Sequence, residues 1–198
     1  MRVLFTTLAV FLALMVMGRQ GMAVDRCRDY LGDVRVQHVR YLGAAFPWWY
    51  GVGQLRQESG CRADVRAFDH GMGIAQFMPA TASEIKRRLG ARLDPFNAAQ
   101  AIRMQAYYLS VLQRSNFAGG ALWLTYQAYN GGWSPLKAEA ARAGAVTWDA
   151  MKGQCRRKTI PLKGGRLLDL CDVNYDYSRR VHRYGNAYRQ GRDLMKFW

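Results

Sequence analysis

Acidic side chains are scarce in this chain of 198 residues, where 14 Asp and Glu face 29 Lys and Arg for a formal charge of +15. So basic a balance favours an acidic polymer as partner. The three histidines (His38, His70, His182) are scattered and no Cys-x-x-Cys occurs, which opposes a zinc site. No metal and no cofactor is expected. Beyond the N-terminal two dozen residues, no segment is long and apolar enough to span a bilayer. Internal repeats and low-complexity linkers are missing too, which excludes solenoid and tethered multidomain architectures. Half of the residues are hydrophobic, enough for one globular domain with its own core.

What is present begins with a leader. Met1-Arg2 precedes an apolar run from Val3 to Met17, followed by Gly18-Arg19-Gln20 and Gly21-Met22-Ala23. A positive start, an apolar stretch of about 15 residues and small residues before a cut after Ala23 read as a secretory signal. The expectation is a signal peptide over 1–23 and one domain over 24–198; the alternative is an uncleaved inner-membrane anchor, the only membrane contact foreseen. Either way the domain is exported, and a periplasmic location is expected. Loss of Arg2 and Arg19 leaves a formal charge of +13. Export argues against nucleic acid as the acidic partner, whereas an anionic cell-envelope polymer fits both facts.

Four cysteines remain: Cys27, Cys61, Cys155 and Cys171. An even count in an oxidising compartment suggests two disulfides, with three pairings open. Thr159-Ile160-Pro161-Leu162 and Arg166-Leu167-Leu168-Asp169-Leu170 flank Lys163-Gly164-Gly165, a hairpin pattern that a Cys155–Cys171 bond would close at its base. That favoured pairing leaves Cys27 for Cys61.

The rest reads as helical. Trp48 to Gln57 forms a helix entered at Pro47, with Glu58 near its end and Gly60 as terminator. Residues 62–73 read as an irregular loop. Helices are expected over Gln76–Leu89, limited by Pro79, and over Asn97–Gln113, where Ile102, Ala106, Leu109 and Leu112 recur at helical spacing. Others cover Ala121–Ala128, Pro135–Ala143 and Tyr177–Arg192. The fold class expected is mostly α with at most one small sheet.

Cleavage of a glycosidic bond needs a carboxylic acid still protonated near neutral pH, and desolvation supplies it by disfavouring the ionised form. Glu58 follows Trp48-Trp49-Tyr50-Gly51-Val52-Gly53-Gln54-Leu55-Arg56-Gln57 and stands out among so few acids. The ordered set Glu58-Ser59, Gly73-Ile74-Ala75-Gln76-Phe77-Met78-Pro79-Ala80-Thr81-Ala82, Ala128-Tyr129-Asn130-Gly131-Gly132 and Tyr177-Ser178-Arg179-Arg180-Val181 resembles the soluble-type lytic transglycosylases, whose domain is goose-lysozyme-like.

That resemblance implies a lysozyme-like (α+β) single domain that cuts the bond between N-acetylmuramic acid and N-acetylglucosamine in peptidoglycan, leaving 1,6-anhydro ends. It implies Glu58 as acid and then base. Gln76, Met78, Tyr129, Asn130 and Tyr177 would line the substrate cleft. Two departures stand out. The family Ser nine residues after the catalytic Glu is Ala67 here, and Ala75 replaces the Met of the family's Gly-Leu-Met-Gln. Asp69 and His70 are the candidates to stand in for that Ser. Two alternatives remain: a hydrolytic goose-type muramidase with Asp64 or Asp69 as second carboxylate, and a non-catalytic peptidoglycan-binding assembly protein. Partners in view are the glycan strands and an envelope-spanning secretion, conjugation or phage assembly.

Overall fold

The computed structural model describes residues 25–117, 121–161, 164–191, 195 and 197–198. The leader assigned to 1–23 lies outside them. A 3-10 turn over Arg26–Tyr30 leads into α1 (Leu31–Leu42). Then follow α2 (Trp49–Ser59), α3 (Pro79–Leu89), α4 (Ala98–Arg114), α5 (Leu122–Gly131), α6 (Trp133–Ala143) and α7 (Trp148–Gly153). A hairpin of β1 (Thr159–Pro161) and β2 (Leu167–Asp169) precedes the last helix, α8 (Leu170–Asn186). Among the described residues no helix is long and apolar enough to cross a membrane.

Helix α2 is the centre of the domain. Every residue from Trp49 to Leu55 is buried, on all sides of the helix, as expected for a helix wrapped by others rather than laid on a surface. Its neighbours reach it because two of its residues lack side chains. A Cβ on Gly53 would lie 2.5 Å from the carbonyl oxygen of Val181, and one on Gly185 would lie 2.4 Å from the Tyr50 ring, so α2 and α8 meet backbone to backbone. On another face Gly51 makes room for the His38 ring of α1. That ring is fully buried, hydrogen-bonds the Val34 carbonyl through Nδ1 at 2.8 Å, and is pushed down to a pKa of about 4 chiefly by burial. The chain end closes the core. Phe197 packs on Tyr50 with centroids 4.6 Å apart, and its carbonyl accepts from Trp123 N–H at 2.8 Å.

Local chemistry sets the element ends. Gly60 adopts φ 63 and receives the last carbonyls of α2, which ends that helix right after Glu58-Ser59. Pro79 opens α3, so the helix expected from Gln76 starts three residues later. Asn97 caps α4 by accepting from Gln100 N–H at 3.1 Å. Helix α8 runs over 170–186 rather than the expected 177–192, because Asp169 accepts from Cys171 N–H at 2.7 Å and starts it at the end of β2. The sequence reading assigned nothing to α1 or α7; α1 carries few apolar residues and buries only Val34 and His38.

Both disulfides take the favoured pairing: Cys27–Cys61, Cα atoms 5.2 Å apart, and Cys155–Cys171, Cα atoms 5.9 Å apart. The second closes the antiparallel pair, whose register sets Thr159 opposite Asp169 and Pro161 opposite Leu167. Arg157, at the hairpin base, pairs with buried Glu139 of α6 at 3.2 Å, and Tyr175 donates to the same carboxylate at 2.6 Å. The hairpin is thereby anchored to α6 and α8.

Candidate active site

Glu58 sits in the last turn of α2, where the helix runs out of the core into a cleft. Ser59, next to it, is buried and holds the opposite wall: its hydroxyl donates to the Ile74 carbonyl at 2.9 Å and accepts from Arg62 N–H at 3.0 Å. That wall is the segment 62–78. The expected irregular loop is there, but it is tied into a small meander by bridges of Met72 with Arg66 and with Phe77. Gly73 is obligatory at its bend, with φ 68 and a Cβ position 1.8 Å from the Pro95 carbonyl oxygen. Gln76, at φ 50, donates through Nε2 to the carbonyls of Gly73 at 2.7 Å and Val65 at 3.2 Å. Its amide nitrogen therefore pins the meander while the residue lines the cleft.

The opposite side comes from α5 and α8. Tyr129 donates to the Ala75 carbonyl at 2.9 Å, joining α5 to the meander across the cleft, and Asn130 is exposed beside it. Tyr177 of α8 is buried and its hydroxyl donates to Glu58 Oε1. The same hydroxyl accepts from Gln54 Nε2 at 3.0 Å, and Gln54 Oε1 accepts from Gln105 Nε2 at 2.7 Å. A buried chain of amides from α4 through α2 thus fixes the direction of the Tyr177 hydroxyl.

The cleft encloses about 340 Å³ and is lined by all six residues singled out in the sequence: Glu58, Gln76, Met78, Tyr129, Asn130 and Tyr177. Ala67, Phe68, Asp69 and Arg180 are also among its walls. Phe68 at 97% exposure and Met78 at 45% offer apolar surface at its lip. Asp64 is exposed and absent from this lining, and so is His70.

The electrostatics of Glu58 follow from this placement. Burial, the largest cause, pushes its carboxyl up from 4.5 to about 8; the Tyr177 hydrogen bond pulls it down, and the negative charge of Asp69 adds to the rise. Tyr177 and Tyr129 are in turn raised well above the ordinary phenol value, by burial first and by Glu58 second. Both phenols therefore stay protonated, and Tyr177 remains a donor. Such a carboxyl can give a proton near neutral pH and take it back.

The pattern described as "Transglycosylase SLT domain" matches residues 54–150, about half of the chain. The chain belongs to that family. The matched span holds Glu58, Gln76, Met78, Tyr129 and Asn130, while Tyr177 and the hairpin lie beyond it. Among solved structures, the 70-kDa soluble lytic transglycosylase SLT70 from Escherichia coli superposes with a TM-score of 0.62 at 20% identity, over 82% of this chain and 26% of that one. The same 70-kDa enzyme in complex with bulgecin A gives 0.59 at 20% identity, over 77% and 23%. An inactive Glu-to-Gln mutant of lytic transglycosylase Slt from Pseudomonas aeruginosa gives 0.58 at 20% identity, over 84% and 26%. No curated protein sequence gives a significant match.

At that identity the likeness shows the fold, which is the lysozyme-like one expected. This SLT-family chain spans about a quarter of the length of those structures. Sequence reasoning missed Gln54 and Gln105. The available signal was a polar residue one helical turn before Glu58, and another set beside the apolar stripe of α4.

Proposed function

We propose that this SLT-family domain is a peptidoglycan lytic transglycosylase in which Glu58 acts alone as acid and then base. One observation carries the reading: a single carboxyl, held at about 8 by burial, lies in an open cleft and hydrogen-bonds the fixed hydroxyl of Tyr177. Glu58 gives its proton to the glycosidic oxygen between N-acetylmuramic acid and N-acetylglucosamine as the bond from that oxygen to C1 breaks. The departing N-acetylglucosamine end leaves as an alcohol. The carboxylate then takes the proton of the muramic acid C6 hydroxyl as its oxygen closes on C1. The proton returns to Glu58, no water is consumed, and the product carries a 1,6-anhydro ring. In the developing carboxylate state the Tyr177 hydroxyl stabilises the charge, so the same contact that limits the rise in pKa serves the second half of the cycle.

Gln76, Met78, Asn130 and Tyr129 contact the sugars in this reading, with Gln76 and Tyr129 also holding the meander against α5. The basic, exported chain meets the glycan in the periplasm, released by cleavage after Ala23 or held by its leader, either as a wall-turnover enzyme or beside an envelope-spanning machine that must open the wall.

The position of Asp69 favours one rival. It shares the cleft with Glu58 and could activate a water for hydrolysis by inversion, provided that the two carboxylates stand about 6.5–9.5 Å apart. Digestion of purified peptidoglycan followed by mass analysis separates the two. Anhydro ends, lighter by one water than reducing ends, are expected, and none should form with Glu58→Gln. Reducing ends would establish the hydrolase, and cutting by Glu58→Gln would remove Glu58 from the chemistry.

A further inference from the structure

Seven residues line the α8 side of the cleft or the hollow beside it, and one belongs to both. Val173, Tyr177 and Arg180 follow one another at helical spacing along the cleft wall. Asp176, Arg179, Arg180 and Arg183 surround a neighbouring hollow of about 350 Å³. Arg180 is therefore the partition between them, one helical turn beyond the tyrosine that touches Glu58.

The three arginines differ in what holds them. Arg179 lies over the Trp148 ring, 3.5 Å from its centroid, and reaches Asp149 at 4.0 Å. Arg183 lies over Tyr184, 5.2 Å from the centroid. Arg180 is half-buried, its Nε is shielded from solvent, and that nitrogen has no hydrogen-bond partner. Among the described residues no carboxylate lies within ion-pair distance of Arg180, although Asp176 lines the same hollow. A half-buried guanidinium without a counter-charge is costly to keep, and it becomes favourable when an anion supplies the missing bonds. The hollow as a whole carries three guanidinium groups against one carboxylate, which favours the same class of ligand.

We infer that Arg180 is a specificity-determining residue that binds a carboxylate of the substrate strand beside the scissile bond. This rests on the glycan-cutting reading above and names the feature of the glycan that the cleft selects. Two sources offer that chemistry: the lactyl carboxylate of muramic acid, free once a stem peptide has been removed, and the carboxylates of a stem peptide still attached. The planar fork of an arginine suits either one, by a paired contact that a lysine cannot reproduce.

The test compares kcat/KM on three preparations of the same glycan: peptide-bearing strands, strands stripped of peptide by an amidase, and peptide-bearing strands whose carboxylates have been converted to amides. The unaltered chain is expected to prefer at least one carboxylate-bearing preparation over the amidated one by about tenfold, the scale of one charge-assisted contact in a partly exposed site. In Arg180→Gln that ratio should collapse towards one, and in Arg180→Lys it should be only partly restored. Preference for stripped strands alone assigns the lactyl group; preference for peptide-bearing strands alone assigns the stem. Binding of the three preparations to Glu58→Gln, with and without Arg180→Gln, supplies the same ratio without turnover.

A general loss of folding would lower all three rates together and leave the ratio unchanged. Equal ratios in the unaltered chain and folded Arg180→Gln, or no preference in the unaltered chain, overturn the inference. Absence of anhydro products from every preparation overturns the glycan-cutting reading instead, and the inference falls with it.

Discussion

Replacing Glu58 by Gln should make the protein more stable, and increasingly so as the pH rises. The carboxyl has an ordinary pKa of 4.5 and stands at about 8 in the folded chain. Between those values the folded state holds a proton that the unfolded state has released, so folding stability falls as pH rises through this window. The full gap corresponds to about 5 kcal/mol at 1.36 kcal/mol per unit. Glu58 keeps some surface towards the cleft, so solvent screening reduces this to about 2–3 kcal/mol. Gln has the neutral shape at every pH, and its Oε1 can still accept from Tyr177. Urea unfolding of both proteins with disulfides intact, repeated from pH 5 to pH 9, measures the difference. The two should be close near pH 5, and Glu58→Gln should gain about 2–3 kcal/mol by pH 9. Parallel stability curves across the whole range would refute the claim that burial holds this proton.

Tyr177→Phe removes the contact that lowers the Glu58 pKa, so the alkaline limb of kcat/KM, expected at about 8, should move upward by about one unit as maximal activity falls; an unmoved limb would separate Tyr177 from the proton chemistry. Asp69→Asn removes a negative neighbour and should move the same limb downward, while anhydro products persist under the lyase reading and activity vanishes under the hydrolase one. Gly53→Ala drives a methyl into the α8 backbone and should cost about 1–3 kcal/mol in urea unfolding, with activity falling as Tyr177 is displaced; an unaffected variant would mean that α2 and α8 can part cheaply.

Much of the site was legible before the fold was known, because its contributors fall in short motifs with strong local grammar. Glu58-Ser59 followed by Gly60 ends a helix, and Met78-Pro79 begins one, so the chain itself dictates that Glu58 and the meander lie at element ends, where side chains reach a cleft. The hairpin was likewise marked by Gly164-Gly165 between two strand-like runs and by cysteines at its base. Helix α1 was not legible, since it presents little apolar surface and is held by the buried His38 ring and a disulfide at its start. The late start expected for the last helix missed a capping signal, Asp169, within an apparent strand.

From sequence alone came the scarce acid, the six cleft residues and the helical class, all consequences of local propensity and motif order. Tertiary structure decided what those residues can do. The Gly53–Gly185 crossing brings Tyr177 to Glu58 from 119 positions away, and the Gln105–Gln54 amides aim its hydroxyl. Burial at that junction, a property of packing that no motif encodes, is the main reason the Glu58 carboxyl stands at about 8. The place left by Ala67 was decided there as well. Ala67 and Asp69 both line the cleft, while His70 is absent from its lining; Asp69 acts on Glu58 through its charge, and Tyr177 supplies the hydrogen bond.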